Sequence, residues 1–523
     1  MKLNKTLVTA TLLSSHLLCM GKSEQVDQRP NILFAIADDV SYPHMGAYGC
    51  KWVNTPAFDR VSREGVLFSN AYTPNAKSAP SRSCILTGRN SWQLEDAANH
   101  MCFFPAKFKT IAEALSQSGY HVGYTGKGWV PGIAQNEDGS PRDLLVKPYR
   151  QFKLTPPTTE ISNEDYGRDF EYFLSKKNGN EPFFFWYGGW EPHRPYEFGT
   201  GMKSGKKLQE IDKVFSFWPD IDYVRNDMLD YAFELEHFDR QLNKMLSMLE
   251  EKGMLENTIV VVTSDNGMPF PRIKGQAYEM SNHLPLAIMW PKGIKVNKRK
   301  VDDFVSFIDF APTFLEIANI NPVQGKMQPV TGKSLLPILK SQKSGVCDPM
   351  RNHVLIGKER HDIGRPENQG YPIRGIVTRD FIYIHNYETG RWPVGNPETG
   401  YLNCDGSPTK TVCLRTRNTS NAIFWQYNFG FRPAEELYDL RTDRVCINNL
   451  AKNNKYAAIK QKMRLQLDAE LRNQNDPRMF GRGYLFDNYM VAPLLYNNYY
   501  ENYKQGKAAK VNWVNPDDYD LFD

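Results

Sequence analysis

A hydroxyl nucleophile and a guanidinium stand one helical turn apart in Ser78-Ala79-Pro80-Ser81-Arg82, just ahead of Leu86-Thr87-Gly88-Arg89. Pro80 suits the first turn of a helix, where its missing N–H costs nothing, and Ser78 occupies the place of a capping residue. The N–H groups and positive dipole end of such a helix attract a phosphate or a sulfate, and Arg82 adds a planar donor fork for the same anion. The pattern alone is equally that of a capped helix with a surface arginine. Its meaning rests on what else reaches the same place.

Other segments put polar groups directly after short apolar runs. In Arg29-Pro30-Asn31-Ile32-Leu33-Phe34-Ala35-Ile36-Ala37-Asp38-Asp39 an uninterrupted apolar stretch reads as a strand buried on both faces, with two carboxylates at its carboxyl end. Adjacent carboxylates repel unless a cation or a proton neutralises them, and in open α/β sheets ligands bind outside the carboxyl ends of strands. Residues 257–263 run into Ser264-Asp265-Asn266-Gly267, residues 121–125 into Gly126-Lys127, and residues 183–187 lead to Pro192-His193-Arg194. Asp38, Asp39, Asp265 and Asn266 offer oxygen donors only, which suits calcium or magnesium and argues against zinc. His193 is the candidate general acid, since imidazole titrates near neutral pH; its alternative is a satisfied loop histidine. Lys127 follows a strand end and Lys274 follows the Asp265-Asn266 pair, so both are read as cationic lining rather than solvated surface lysines.

These motifs can meet only if the strands carrying them share a sheet. Residues 108–118 and 227–252 repeat apolar residues at helical spacing, end at Gly119 and Gly253, and are each followed by a strand. That alternation predicts an α/β fold with a large, mostly parallel sheet sandwiched by helices. Beyond Ser334-Leu335-Leu336-Pro337-Ile338-Leu339 the texture changes to short strands within residues 375–385, loops rich in Asn, Gly, Pro and Tyr, and a terminal helix over 455–472. We read a catalytic domain over 24–372 and a smaller C-terminal α+β domain carrying an antiparallel sheet over 373–523. Glu359, Arg360, His361, Tyr371 and Arg374 are candidates for holding a sugar on the pocket wall, with inter-domain contacts as their alternative role. Arg194 and His283 join them as candidate substrate-binding residues. The tyrosine- and asparagine-rich stretch 484–503 either packs over the surface or contacts a carbohydrate.

With these motifs the chain resembles the sulfatase family of the alkaline phosphatase superfamily, from about Arg29 to Glu436-Leu437-Tyr438-Asp439-Leu440, which is similar to that family's E-L-Y-D-L segment. The resemblance implies an alkaline phosphatase-like fold and sulfatase activity on a sulfated glycan. It implies that Ser78, first residue of the family's C/S-x-P-S-R, is oxidised after synthesis to formylglycine (3-oxoalanine) by a serine-type, radical-dependent maturase. It also implies one calcium ion per chain, held by Asp38, Asp39, Asp265, Asn266 and the modified Ser78, with Arg82, Lys127, His193 and Lys274 completing a cationic lining. One hydroxyl of the aldehyde hydrate would attack sulfur, and deprotonation of the other would expel sulfate; a plain serine lacks the second step. Thr263-Ser264-Asp265-Asn266-Gly267-Met268-Pro269-Phe270-Pro271 and Pro192-His193-Arg194 are closer to the heparan N-sulfatase group than to the arylsulfatases. That points to N-sulfated glucosamine of heparin or heparan sulfate. An O-sulfatase on another sulfated polysaccharide, a metal-dependent phosphatase or phosphodiesterase of the same superfamily, and a catalytically dead glycan binder are the rival readings.

Two segments depart from the family pattern. Where G-K-x-H is usual the chain has Gly126-Lys127-Gly128-Trp129, and an indole N–H donates but cannot act as a base. Another group must then deprotonate the hydrate. The arginine usual shortly after K-G-T-x-Y-E is also altered, the text here being Lys274-Gly275-Gln276-Ala277-Tyr278-Glu279 and then Ser281-Asn282-His283-Leu284-Pro285.

Composition fits a large enzyme of two unequal domains: 523 residues, 41% hydrophobic, can bury a sizeable core. The net charge of +5 is small for this length and comes with no nucleic-acid motif, so no nucleic-acid partner is expected. Residues 1–23 read as an export signal, with Lys2 and Lys5 ahead of an apolar run too short to span a bilayer. The mature protein is expected in the periplasm or at the outer membrane of a Gram-negative bacterium, attached to a membrane only if Cys19 is lipidated. Eight cysteines make no disulfide framework, although Cys404 and Cys413 are spaced for a bridged loop and Cys84 reads as a buried apolar residue.

Overall fold

The structure, a computed structural model, describes residues 28–519; the expected export signal and Cys19 lie outside the described residues. The first strands in the chain are β1 (Asn31–Ala37), β2 (Val66–Tyr72), β3 (Cys102–Phe104), β4 (His121–Gly126), β5 (Gly132–Ala134), β6 (Phe183–Gly188) and β7 (Thr258–Ser264). They are followed by β8 (His283–Met289), β9 (Arg299–Ser306), β10 (His353–Lys358), β11 (Ile373–Thr378), β12 (Phe381–Asn386) and β13 (Glu435–Asp439). The main sheet has seven strands in the order β4-β6-β1-β7-β8-β2-β9. β1 is parallel to both neighbours, with Leu33 opposite Phe185 of β6 and Val260 of β7. β8 alone in this sheet is reversed, antiparallel to β7 and β2.

The uninterrupted apolar runs of β6 and β7 are buried along their whole length, as strands covered on both faces must be. Ile32, Phe34 and Ile36 point into one apolar layer with Phe310 and Phe314, while Leu33 and Ala35 point into the other with Leu235, Phe238 and Leu242 of the helix Asp222–Glu251. That helix starts ahead of the expected residue 227 because Val224 extends its buried stripe. The helix Ile111–Gln117 begins at a reciprocal cap: Glu113 N–H donates to Thr110 Oγ1 at 3.2 Å and Thr110 N–H to Glu113 Oε2 at 2.8 Å.

The second sheet is antiparallel, in the order β10-β11-β12-β13. Its first strand, β10, precedes residue 373, so this sheet draws on chain that the sequence assigned to the catalytic domain. The helix Ala457–Asn473 covers one face through Met463, Leu467 and Leu471, and it is not terminal. The chain continues beyond it, and Val491, Tyr499 and Val511 pack on Met101, Ile363 and Leu402. The seven cysteines among the described residues are unpaired, which corrects the expected Cys404–Cys413 bridge; both are buried in the apolar core instead. Among the described residues no helix is long and apolar enough to cross a membrane.

Candidate active site

The shared direction of β1, β4, β6 and β7 brings their carboxyl ends to one edge, where Asp38, Lys127, His193 and Asp265 emerge. The helix Ser78–Thr87 begins at Ser78 itself, with Lys77 as the residue ahead of it and no side-chain cap. Ser78 is therefore not a capping residue. Its hydroxyl lies 3.3 Å from Asp38 Oδ1 and accepts from Lys127 Nζ at 3.1 Å. The helix is tied down by Ser81 Oγ, which donates to the Asp265 carbonyl at 2.5 Å. Gly126 delivers Lys127: at φ +67° it passes so close to β6 that a Cβ would sit 2.0 Å from the Gly188 carbonyl.

Successive side chains of a strand point to opposite faces, so two adjacent acids can meet at one point only if the strand ends between them. Asp39 does this with φ +77°, in the left-handed region. Carboxylate oxygens of Asp38, Asp39 and Asp265 then lie within 4.8 Å of one another, all buried. Lys127 Nζ donates to Asp38 Oδ2 at 2.5 Å, Lys274 Nζ to Asp39 Oδ2 at 2.7 Å, and Arg82 Nε to Asp265 Oδ2 at 2.9 Å. Burial pushes the Asp38 carboxyl up, but Lys127, helped by His193 and Arg82, outweighs it and the opposing Asp39 and holds the group below the ordinary carboxylate range. Asn266 donates through Nδ2 to Asp39 Oδ1 at 2.5 Å, while its buried Oδ1 has no partner. An orphaned amide oxygen beside three carboxylates is a donor set that fits a hard cation.

Ser78 opens into a cavity of about 340 Å³ that Lys127, Lys274 and His193 also line. Lys77, His100, His361 and Asp405 line it as well, and no sequence motif marks Lys77, His100 or Asp405. Lys274 Nζ bridges Asp39 and Asp405, the latter at 2.6 Å. Burial opposes the Lys274 ammonium, but Asp39 and Asp405 outweigh it and raise its pKa above the usual lysine range. Burial lowers the pKa of the Lys77 ammonium, with Asp405 opposing and Lys274 adding to the fall.

Three imidazoles line the cavity. His193 Nδ1 donates to the Arg194 carbonyl at 2.6 Å, which leaves Nε2 4.0 Å from Asp39 Oδ2. His361 has both nitrogens engaged, by the Gly275 carbonyl at 3.3 Å and Asn75 Oδ1 at 2.5 Å. His100 Nδ1 is buried without a partner, and burial, then Lys77, Lys274 and Lys127, hold its pKa well below the usual histidine value. Trp129 does not take that role. Its Nε1 donates to the Ala79 carbonyl at 3.1 Å and Ser83 Oγ at 2.8 Å, bracing the helix that carries Ser78.

Several expected contacts lie elsewhere, because long charged side chains are buried only with partners. Arg82, 0% exposed, sits behind Ser78 and gives Nη1 to the carbonyls of Lys127 and Gly128 at 2.8 and 2.9 Å, so it braces the site rather than facing an anion. Arg194 is engaged by Asp227 through two bonds of 2.8 Å. His283 is held by Glu279 at 2.9 Å and the Ser69 carbonyl at 2.8 Å, stacked between Tyr42 and Tyr72. Arg374 pairs with Asp476 and Glu359, each at 2.7 Å, and Arg360 donates to the Tyr489 and Met490 carbonyls. Of the six expected substrate-binding residues, His361 alone lines this cavity.

Residues 30–320 match the family model described as Sulfatase, and residues 273–393 that described as N-sulphoglucosamine sulphohydrolase, C-terminal. An ulvan-active sulfatase of Formosa agariphila is 27% identical, covering 85% of this chain and 75% of its own. Human N-sulphoglucosamine sulphohydrolase is 26% identical, covering 86% and 91%. Among solved structures, yidJ of Bacteroides fragilis superposes with a TM-score of 0.63 at 19% identity, covering 88% of this chain and 99% of that one. A structure in complex with its substrate D-glucosamine-2-N,6-O-disulfate superposes with a TM-score of 0.58 at 22% identity, covering 86% and 98%. With one family model spanning more than half its length on this fold, the chain belongs to the sulfatase family.

Proposed function

We propose that the cavity hydrolyses the sulfamate of N-sulfated glucosamine in heparin or heparan sulfate, with Ser78 in its formylglycine form. The observation that carries this reading is the Ser78 hydroxyl on the floor of a lysine-lined cavity, 3.1 Å from Lys127 Nζ and beside the Asp38 carboxylate. The match of residues 273–393 to the N-sulphoglucosamine sulphohydrolase C-terminal model, and the likeness to the human enzyme of that name, support the choice of substrate.

Asp38, Asp39, Asp265 and Asn266 would hold a calcium ion, which when bound supplies Lewis-acid polarisation of a sulfuryl oxygen. Formylglycine would supply a nucleophile that can release its product, as plain serine cannot. The chain's own groups divide the rest. Lys77, Lys127 and Lys274 neutralise the sulfo group, and Arg82 holds Asp265 and the Lys127 backbone in place. His193 Nε2 gives a proton to the departing nitrogen. His100 Nδ1, a ring nitrogen on the cavity wall with no hydrogen-bond partner, would take the proton that the second hydrate hydroxyl gives up as sulfate leaves. The reading includes export to the periplasm and maturation by a serine-type enzyme. Mass spectrometry of the mature amino terminus checks the anchor: a diacylglycerol on Cys19 supports membrane attachment, and a later free residue contradicts it.

Protein co-expressed with a serine-type maturase is expected to release sulfate from glucosamine N-sulfate. Release from glucosamine 6-O-sulfate or an ulvan oligosaccharide, with none from the N-sulfated sugar, contradicts the proposed substrate.

A further inference from the structure

A second cavity of about 250 Å³ shares Trp190 and His193 with the first and is otherwise lined by Glu160, Ser162, Glu191, Arg194 and Glu234. A water takes about 30 Å³ of liquid volume, so this space admits a small organic group rather than a lone water. Its charge is opposite to that of the first cavity. No lysine lines it, and its one guanidinium, Arg194, is engaged by Asp227 through two bonds of 2.8 Å. Glu191 accepts from Ser162 N–H and Tyr166 O–H, each at 3.0 Å, which leaves lone pairs on both of its oxygens. Glu234 reaches the cavity from the helix Asp222–Glu251 and is 1% exposed, yet its Oε1 has no hydrogen-bond partner. Burial, then Glu191, Glu160 and Asp230, hold its pKa well above the usual carboxyl range, with Arg194 opposing. A buried carboxyl oxygen without a partner, beside two further acids, calls for a cation. Among the described residues the acids gathered closely enough to share a metal ion include Asp38, Asp39 and Asp265 but not these three. Carboxyls spread around a cavity with an indole wall match an organic ammonium instead, which donates in three directions and is drawn to an aromatic ring.

We propose that this second cavity binds the primary ammonium of an amino sugar, the form in which the desulfated product leaves. Overall, sulfamate hydrolysis breaks the S–N bond, forms an S–O bond to the oxygen of water and puts both water protons on nitrogen, so an anionic sugar becomes sulfate and a cationic sugar. The lysine-lined cavity holds the sulfate and the carboxyl-lined one the ammonium, with His193, which protonates the departing nitrogen, on the wall they share. The ammonium as product rests on the proposed sulfamate reaction; the ammonium site itself rests on Glu160, Glu191 and Glu234.

The test needs no turnover. Full-length protein with unconverted Ser78, in calcium at neutral pH, is titrated calorimetrically with D-glucosamine, N-acetyl-D-glucosamine and D-glucose. Glucosamine is expected to bind about tenfold more tightly than the other two, and Glu234→Gln to remove that preference. Equal affinity for the three sugars, or binding of none, overturns the inference. A preference that survives in folded Glu234→Gln also overturns it, and its loss in Asp405→Asn then places the ammonium in the first cavity. If Glu234→Gln does not fold, Glu160→Gln on the exposed rim is expected to weaken glucosamine about threefold, and an unchanged affinity there overturns the inference. Sulfate release by matured protein separates the two proposals. A Glu234-dependent preference for glucosamine, with release from O-sulfated sugars alone, contradicts the proposed substrate and leaves the ammonium site standing; release from the N-sulfated sugar without that preference does the reverse.

Discussion

Two clusters of buried charge in this molecule look alike in composition and differ in completeness. Beside the second sheet, Arg374 and Arg478 meet Glu359 and Asp476 at 2.6 to 2.8 Å, and each guanidinium makes paired contacts. At the edge of the main sheet Arg82, Lys127 and Lys274 meet Asp38, Asp39 and Asp265, yet Asn266 Oδ1 and the nearby His100 Nδ1 have no hydrogen-bond partner. The first cluster is closed and ties the chain together. The second is incomplete as the protein alone, which is the condition for holding a cation and an anion.

The sharpest break between the clusters is Ser78→Ala, expected to abolish sulfate release after co-expression with the maturase while leaving the melting temperature nearly unchanged. Retained turnover removes Ser78 as nucleophile. Asp265→Ala is expected to lower kcat/KM about a thousandfold, and chelation to do the same to the parent protein reversibly on adding calcium. Insensitivity to chelation contradicts the cation site. Arg374→Ala should act on stability instead, costing about 3–5 kcal/mol in denaturant unfolding because Glu359 and Asp476 lose a buried partner, with kcat/KM of the folded protein little changed. A loss of turnover without a loss of stability would reverse the distinction. His100→Ala is expected to lower kcat about a hundredfold; an unchanged kcat assigns the proton to another group.

The last effect is on pH dependence. Burial pushes the Glu191 carboxyl from its usual 4.5 up to about 7, against bonds from Ser162 N–H and Tyr166 O–H. The folded protein therefore keeps a proton that the unfolded chain releases, so this stabilisation is full below about 4.5 and is lost as pH rises through about 7. Glu191→Gln should flatten that part of the unfolding free energy against pH; an unaltered slope contradicts the buried, proton-holding carboxyl.

What is legible in the sequence is local. Asp38, Asp39, Asp265 and Asn266 follow buried strands, and once those strands are parallel their ends must converge. Arg360 and Arg374 mislead as substrate-binding candidates because an arginine paired with an acid 102 positions away, as Arg374 is with Asp476, looks in sequence like one facing solvent. Asp405 and His100 belong to no motif, and only the fold brings them beside Ser78. The stretch 484–503 has no period to reveal its place; its tyrosines and asparagines suit surface packing and carbohydrate contact equally.

The most direct test of Ser78 as the modified nucleophile is sulfate release measured against the fraction of the Ser78 peptide that mass spectrometry finds as aldehyde. Release that rises in proportion to that fraction is expected. Release from protein whose peptide is entirely serine, or none from fully converted protein on any sulfated glycan, contradicts it.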